Sequence, residues 1–431
     1  MKQTITVGLL GLGTVGSGVV EILHDHKERI QHKTGCDVTI KAALVNDPSK
    51  KRELPTSSTL LTDRHEDITN DPDIDVIVEV MGGIDHTFTI LMEAIKNGKH
   101  IVTANKDLIA KHGAELFEAC QENKCDLFYE ASVAGGIPVI RSIMDGLSSD
   151  RITKMMGIVN GTTNYIMTKM AQEGVDFDSV LKEAQDLGFA EADPTADVDG
   201  LDAARKMTIL SILGFSMPYQ LEDVDVKGIR GISLEDIKYA EELGYRIKLI
   251  GIAENDESGV SVSVEPTLLP IHHPLSSVND EYNAVYVYGD AIGETMFYGP
   301  GAGKLPTATA VVSDLIAVLK NIRLGTTGTA YVQPQFPTQV KAKQQQWTKK
   351  YLRLQVQDQP GTLNEMTHIF AEYGISFDQI IQRSSEKEDQ REIMMVTHQV
   401  SEEDFEKARQ DLEGLASVKS IDSIFRVEGG N

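Results

Sequence analysis

Cysteine is scarce in this chain: 431 residues contain three, Cys36, Cys120 and Cys125. An odd count without metal-ligand spacing argues against both a disulfide framework and a cysteine metal site, and describes reduced thiols in a cytoplasmic protein. Cys120 and Cys125, separated by QENK, fit a helix end running into a strand. Basic residues are also in deficit: 41 Lys and Arg against 65 Asp and Glu leave a formal net charge of −24. Nucleic acid and anionic membrane would be repelled by such a surface, so neither is expected as a partner. A small substrate is not restricted in this way, because one pocket can be basic inside an acidic protein. Long apolar runs are missing too, since no stretch approaches the roughly 20 apolar residues of a membrane helix. The opening MKQTITVGLLGLGTVG is interrupted by glycines and reads as a first strand rather than a signal peptide. There is no internal repeat.

What remains is an ordinary globular composition, 41% hydrophobic and 25% charged, in a chain long enough for two to four domains. Residues 1–136 alternate strand runs (ITVGLLGLG, VTIKAALVND, IDVIVEVMGG, KHIVTANK, CDLFYEASVAGG) with helices over Thr14–Ile30, Thr87–Asn97 and Leu108–Asn123. That order predicts an α/β, Rossmann-like domain with a parallel sheet covered on both faces. Residues 137–299 read as an α+β domain. Helices are expected over Thr162–Glu173, Phe177–Leu187, Leu201–Leu213 and Leu234–Leu243, with antiparallel strands YRIKLIGIAE, GVSVSVEPTLLP and NAVYVYG. The run FYGPGAGKLP is a glycine-rich loop opening a helix to about Asn321, and residues 300–325 are expected to pack back on the first domain. Residues 326–349, with two prolines and KAKQQQWTKK, look like a linker. Residues 350–427 then follow the ferredoxin-like order βαββαβ.

Gly11, Gly13 and Gly16 form GLGTVG between a strand and a helix. The first glycine permits the tight turn, the second lets a pyrophosphate approach the backbone, and the third lets helix pack on strand. Leu12, Thr14 and Val15 complete a loop whose amides and helix dipole favour a phosphate, which marks a dinucleotide site. The second strand ends at Asn46, with Asp47 next and Lys50, Lys51 and Arg52 beyond. A carboxylate at that tip suits NAD and basic groups suit NADP, so the reading leans to NADP without excluding NAD or a merely solvated loop.

Asp202 and Lys206 are four residues apart in LDAARK and share one helical face. That spacing is usually a surface ion pair. Here Glu191 and Asp193 are close in sequence, and Met207, Ile209 and Leu210 suggest partial burial. Carboxylates that hold an ammonium group and a lysine that takes a hydroxyl proton suit the oxidation of a zwitterionic alcohol.

The blocks TANKDLIA, EASVAGGIPVI, NGTTNYI, GFAEADPTADVDGLDAARK and GPGAGKLPTA, in this order, resemble the homoserine dehydrogenase family across about 325 residues. The resemblance implies interconversion of L-homoserine and L-aspartate 4-semialdehyde, serving threonine, methionine and isoleucine biosynthesis, in a homodimer or homotetramer whose central domain is catalytic and dimerising. It implies Lys206 as the acid/base and Lys106 as a second active-site lysine near nicotinamide and substrate. Glu191 and Asp202 would grip the amino group, Gly161 and Thr162 would line the substrate pocket, and Thr103, Ala302 and Gly303 would lie near the cofactor. A lysine acts as a base when burial or a neighbouring cation favours its neutral form, and Lys106 and Lys206 are suited to act on each other in that way. EASVAGGIPV also resembles the family's monovalent-cation loop, with a Glu130 carboxylate and the carbonyls of Val133, Gly135 and Ile137 as ligands. Oxygen donors of that kind suit sodium in a structural role, and a plain strand-to-loop turn is the alternative.

DQPGTLNEMTHIFAEYGIS resembles the opening of an ACT domain, which implies an amino-acid effector, L-threonine first, or else a purely oligomerising module. The helix N-terminus after Gly361, with Asn364 one turn in, offers donors for a carboxylate. If the linker makes this module separable, a chain ending near Lys343 keeps catalysis and loses the response. Two rival functions fit less well. A thioester-forming dehydrogenase needs an activated cysteine, and a non-catalytic sensor need not keep Lys106, Glu191, Asp202 and Lys206 together.

Overall fold

The computed structural model describes residues 4–52, 59–329, 334, 336–337, 339–384 and 389–429. They form two compact units. The first comprises Met1–Ile152, Arg205–Leu221 and Asn283–Pro337; the second comprises Thr153–Ala204, Glu222–Tyr282 and Thr338–Asn431.

The first unit is built on six parallel strands, in the spatial order Leu60–Thr62, Asp37–Leu44, Thr4–Leu10, Val76–Glu79, His100–Thr103 and Leu127–Phe128. Val7, Leu9, Val76 and Val78 are fully buried, as continuous apolar runs in a doubly covered sheet should be. The expected helix over Thr14–Ile30 is two, Thr14–Asp25 and Lys27–Thr34, broken at His26. The apolar stripe that holds the first helix to the sheet stops at Leu23, and HDHKER offers nothing to continue it.

Two further expectations change here. The strand through CDLFYEASVAGG is only Leu127–Phe128, followed by a 3-10 turn at Glu130–Ser132. The Glu130 amide donates to Asp314 at 2.7 Å, and its carboxylate accepts from the amides of Ile140 and Arg141 at 2.8 and 2.9 Å. Those bonds turn the chain where a strand would carry on. The glycine-rich loop is shorter than expected: Gly293–Pro300 is a strand, and the helix runs over Lys304–Leu324. Against the sequence expectation, this helix is long and apolar enough to cross a membrane by length and composition. Its apolar face instead fills the core with Val19, Val78 and Val102. Gly18 makes its close crossing with Thr14–Asp25 possible, since a Cβ there would lie 2.6 Å from the Lys304 carbonyl oxygen.

The second unit carries a mixed sheet in the order Ile152–Ile158, Tyr245–Asp256, Gly259–Pro270, Val418–Val427, Trp347–Gln357, Gln390–Thr397 and Phe377–Ser384. Strand Ile152–Ile158 was not anticipated. The sheet's long hairpin was, and it follows from period-two alternation: Val260, Val262 and Val264 are buried while Ser261, Ser263 and Glu265 face the other side. Its turn is set by Asp256, whose carboxylate accepts from the Ser258 amide at 2.8 Å. Residues from Trp347 onward fold as βαββαβ around Leu352, Leu354, Met366, Phe370, Met395 and Phe405.

This C-terminal module is not a tail on a loose tether. Its last strand joins the hairpin in parallel register, Thr267 opposite Arg426 and Leu268 opposite Val427. Within the expected linker, Gln339 accepts from the Val260 amide at 2.7 Å and the Lys341 amide donates to Val260 at 2.8 Å. Residues 330–333, 335 and 338 of that linker lie outside the described residues. Buried Arg353 ion-pairs with Asp236 at 2.7 Å and Glu392 at 2.9 Å, tying the module to helix Leu234–Glu242.

Candidate functional site

The three loop glycines meet three different surroundings. Gly11 has φ +102° and lies against Met81, 2.9 Å from where a Cβ would stand. A Cβ on Gly16 would lie 2.2 Å from the Gly11 carbonyl oxygen, so only glycine lets helix Thr14–Asp25 start so close to the strand. Gly13 has nothing within 4 Å of such an atom and is exposed beside Leu12, Thr14 and Val15. That open space at a helix N-terminus is what a pyrophosphate needs, so the residues fit a dinucleotide. At the second strand's tip Asn46 is exposed, and the Asp47 carboxylate accepts from the amide and hydroxyl of Ser49 at 2.9 and 2.6 Å. Those hydrogen bonds hold the Asp47 carboxyl below its usual range. Arg52 folds back onto the carbonyl of Asp47 at 2.8 Å, while Lys50 is exposed.

Lys106 heads helix Lys106–Glu122, capped by Asn105, whose side chain accepts from the Leu108 amide and donates to Gly83 at 2.7 Å. Thr103 is fully buried and its hydroxyl is committed to Glu79 at 2.5 Å. Glu79 also accepts from the amides of Met81 and Gly82, and burial pushes its carboxyl up. Thr103 therefore shapes this strand end through its backbone and through Glu79. Lys206 is partly buried on helix Leu201–Phe215, one turn from Asp202. Arg205 beside it ion-pairs with Asp107 at 2.8 Å, bringing the Lys206 and Lys106 helices together. Ala302 and Gly303 are exposed at the start of helix Lys304–Leu324, with Gly303 at φ +121°.

For the cation loop, Val133 and Ile137 are buried, Ala134 and Gly135 have φ of +55° and +53°, and the Ile137 carbonyl accepts from Val139 at 2.8 Å. Both Glu130 oxygens are engaged by amides, as above. An ion would have only their second lone pairs, together with the backbone carbonyls. The set is all oxygen and fits a hard monovalent cation.

In the second unit, Asp202 is 6% exposed and accepts from the Asn160 amide at 2.8 Å. The other Asn160 hydrogen goes to Asp197 at 2.7 Å, while its oxygen caps helix Gly161–Glu173 through the Thr163 amide. Gly161 is required by the Glu281 carbonyl oxygen, 2.7 Å from where a Cβ would stand. Thr162 donates to the Phe189 carbonyl at 2.7 Å and so anchors the loop that carries Glu191. Glu191 itself is exposed, its backbone carbonyl bonded to Gln185 at 3.0 Å. Its carboxylate is carried by a polar loop on which Phe189, two residues earlier, is anchored to Thr162.

Three positioning groups escaped the sequence reading. Asn160 carried an N-cap signal before GTT. Lys248 carried none: buried, it donates to Asn164 Oδ1 at 3.0 Å and Val278 O at 2.7 Å, pinning the segment against Gly161. Burial, with Arg246 nearby, pushes its ammonium down to about 7. Asn283 is buried with neither amide atom hydrogen-bonded among the described residues, and Gly301 packs against it, a Cβ there being 2.1 Å from its Cγ. All three cysteines are buried and free. Burial pushes the Cys120 thiol far up and the Cys125 thiol to about 11, so neither offers the thiolate of a thioester mechanism.

Comparison with known proteins accords with this geometry. The family model for homoserine dehydrogenase matches residues 138–316, that for the homoserine dehydrogenase NAD binding domain residues 11–130, and that for the ACT domain residues 350–417. The chain is 56% identical to homoserine dehydrogenase of Bacillus subtilis, over 99% of each. Its structure resembles that of a homoserine dehydrogenase from Thiobacillus denitrificans with TM-score 0.92, at 41% identity over 99% of each chain. It also resembles a hyperthermophilic archaeal homoserine dehydrogenase in complex with NADPH, with TM-score 0.63 at 25% identity, covering 77% of this chain and 100% of that one.

Proposed function

The chain belongs to the homoserine dehydrogenase family, and from that premise we propose that it interconverts L-homoserine and L-aspartate 4-semialdehyde with NADP(H). The observation that carries the reading is the helix Leu201–Phe215, where Asp202 is buried and held by Asn160 one turn before Lys206. Asp202, joined by Glu191 from its loop, holds the substrate ammonium. Lys206 takes the proton from the hydroxyl oxygen as the carbon gives up hydride, and Lys106 steadies the developing charge. The nicotinamide, when bound, supplies the hydride acceptor.

NADP is favoured over NAD because Asp47 is consumed by its own turn, leaving Asn46, Lys50, Lys51 and Arg52 at the strand tip. The NADPH complex of the archaeal relative supports the same choice. Sodium is the cation proposed for Glu130, Val133, Gly135 and Ile137. The enzyme works in the cytoplasm, as three buried reduced thiols suit. It acts as a homo-oligomer and serves threonine, methionine and isoleucine biosynthesis. The ACT domain makes turnover respond to an amino acid, with L-threonine first.

Assay of the purified chain with L-homoserine and each cofactor tests this. Turnover is expected with NADP above NAD, and replacing Lys50, Lys51 and Arg52 together by Ala should weaken NADP more than NAD. No oxidation of L-homoserine with either cofactor refutes the activity. Equal losses for both cofactors refute the assigned preference.

A further inference from the structure

The outward face of the hairpin strand Gly259–Pro270 forms one wall of a cavity of about 220 Å³ in the second unit. Other walls come from residues 225–227 and from the C-terminal module at Thr348, Lys350, Glu402 and Arg426. The space is smaller than the roughly 300–1,000 Å³ that takes drug-sized ligands, so it suits a small metabolite. Its lining is charged, and the charges nearly cancel. Lys350 is paired with Glu402 at 2.6 Å, and Lys343 with Asp225 at 3.4 Å. Arg426 is paired with Glu428 and, at 3.4 Å, with Glu254.

Two charges of opposite sign are left under-used. Lys227 makes no ion pair among the described residues; its Nζ donates to the Ile424 carbonyl at 2.6 Å and sits over the Phe425 ring. Desolvation lowers its ammonium pKa, opposed by the nearby Glu265 and helped by Lys350, and an incoming anion would act on it in the same sense as Glu265. Among the described residues Glu265 makes one ion pair, with Arg426 at 4.0 Å, and it acts on Lys227 at longer range without pairing with it. Two residues before Glu265 on the same strand, the Ser263 hydroxyl is buried with no hydrogen-bond partner among the described residues. A net anion or a net cation would satisfy one charge and leave the other. A molecule with both charges on a short frame satisfies both.

We propose that this cavity binds a small α-amino acid, its carboxylate on Lys227, its ammonium on Glu265 and a polar group on Ser263. The proposal rests on the reading of the chain as an effector-controlled enzyme, and it locates that effector between hairpin and module rather than at the helix after Gly361. The position has a mechanical consequence. Lys227 is bonded through its amide to Val264 at 2.7 Å, and the next residue, Gly228, lies on the Val198–Asp199 turn, 2.2 Å from the Val198 carbonyl oxygen to where a Cβ would stand. Ile229 bonds Val198 at 2.8 Å, and Arg230 pairs with Asp199 at 2.5 Å. That same turn presents Asp197 to Asn160, the residue that holds Asp202. A ligand drawing Lys227 into the cavity therefore pulls on the support of the substrate carboxylate, and the coupling requires that it bind one arrangement better than the other.

The test is calorimetric titration of the full chain with L-threonine, L-methionine and glycine. Whichever binds is then compared with its analogues lacking the carboxylate or the amino group. Binding is expected for at least one, weakened at least ~10-fold in each analogue and in Lys227→Met and Glu265→Gln, the scale of one lost charge-assisted contact. The analogue comparison uses the unaltered chain and reads the need for both charges, while Lys227→Met and Glu265→Gln, set against Asn364→Ala, read the place; far-ultraviolet circular dichroism shows that each variant is folded. Binding that survives in both variants, or that is lost only in Asn364→Ala, overturns the cavity and leaves effector control standing. If no probe binds and none alters turnover, effector control falls together with the cavity.

Discussion

The two ends of the chain differ in how locally their work is done. At the N-terminal end, three nearby glycines build the loop proposed for the dinucleotide: Gly11 and Gly16 meet only the loop itself and the adjacent strand end, and Gly13 meets nothing within 4 Å. At the C-terminal end, Arg353 is held by Asp236, 117 residues earlier, and Lys154 reaches Glu428 across 274 residues. The lesson is that a site made by backbone geometry can be self-contained. The C-terminal module is instead stitched into the sheet of the hairpin. Buried ion pairs hold it there firmly because each is costly to half-break.

The sharpest way to break this contrast is to stop the chain after Lys343. That removes strands Trp347–Gln357 and Val418–Val427, leaving Thr267 and Leu268 on the hairpin edge without their strand partner and Asp236 without Arg353. The expected outcome is loss of soluble, active protein, read by expression and turnover. A truncated enzyme with wild-type turnover would restore the separable tail that the sequence suggested. Next in size is Arg353→Met, which strands fully buried Asp236 and nearly buried Glu392. It should destabilise the second unit by about 3–5 kcal/mol, measured by denaturant unfolding, and an unchanged midpoint would make the pairing ornamental.

Smaller effects separate the loop glycines. Gly16→Ala places a methyl 2.2 Å from the Gly11 carbonyl oxygen and should lower both thermal stability and cofactor affinity. Gly13→Ala meets nothing within 4 Å and keeps an ordinary φ of −85°. It should leave the melting temperature nearly unchanged while weakening NADP at least ~10-fold, because the methyl stands where the pyrophosphate approaches. If both variants melt alike and bind alike, the division of labour among the glycines is wrong.

What the sequence made legible follows the same contrast. GLGTVG, the Val260–Val262–Val264 alternation and the βαββαβ order are short-range patterns with a fixed period, and each became the element expected. The helix at Gly161–Glu173 likewise follows from Asn160, Gly161 and the cap geometry. Lys248, Asn283 and the Arg353–Asp236 pair were not legible, because a buried polar group and its partner follow no period and look like surface residues in one dimension. Helix Lys304–Leu324 was expected to about Asn321, and the fold adds how completely its Ala308–Leu319 face is buried.

In the proposed mechanism Lys206 moves the proton while Asp202, one turn away, holds the substrate. Steady-state turnover of Lys206→Ala with L-homoserine at saturating NADP tests it most directly, with NADP affinity measured on the same preparation. The claim predicts kcat lower by at least ~100-fold, the scale of a positioned acid/base, with cofactor binding unchanged. Near-normal kcat in a variant that still binds NADP would contradict it.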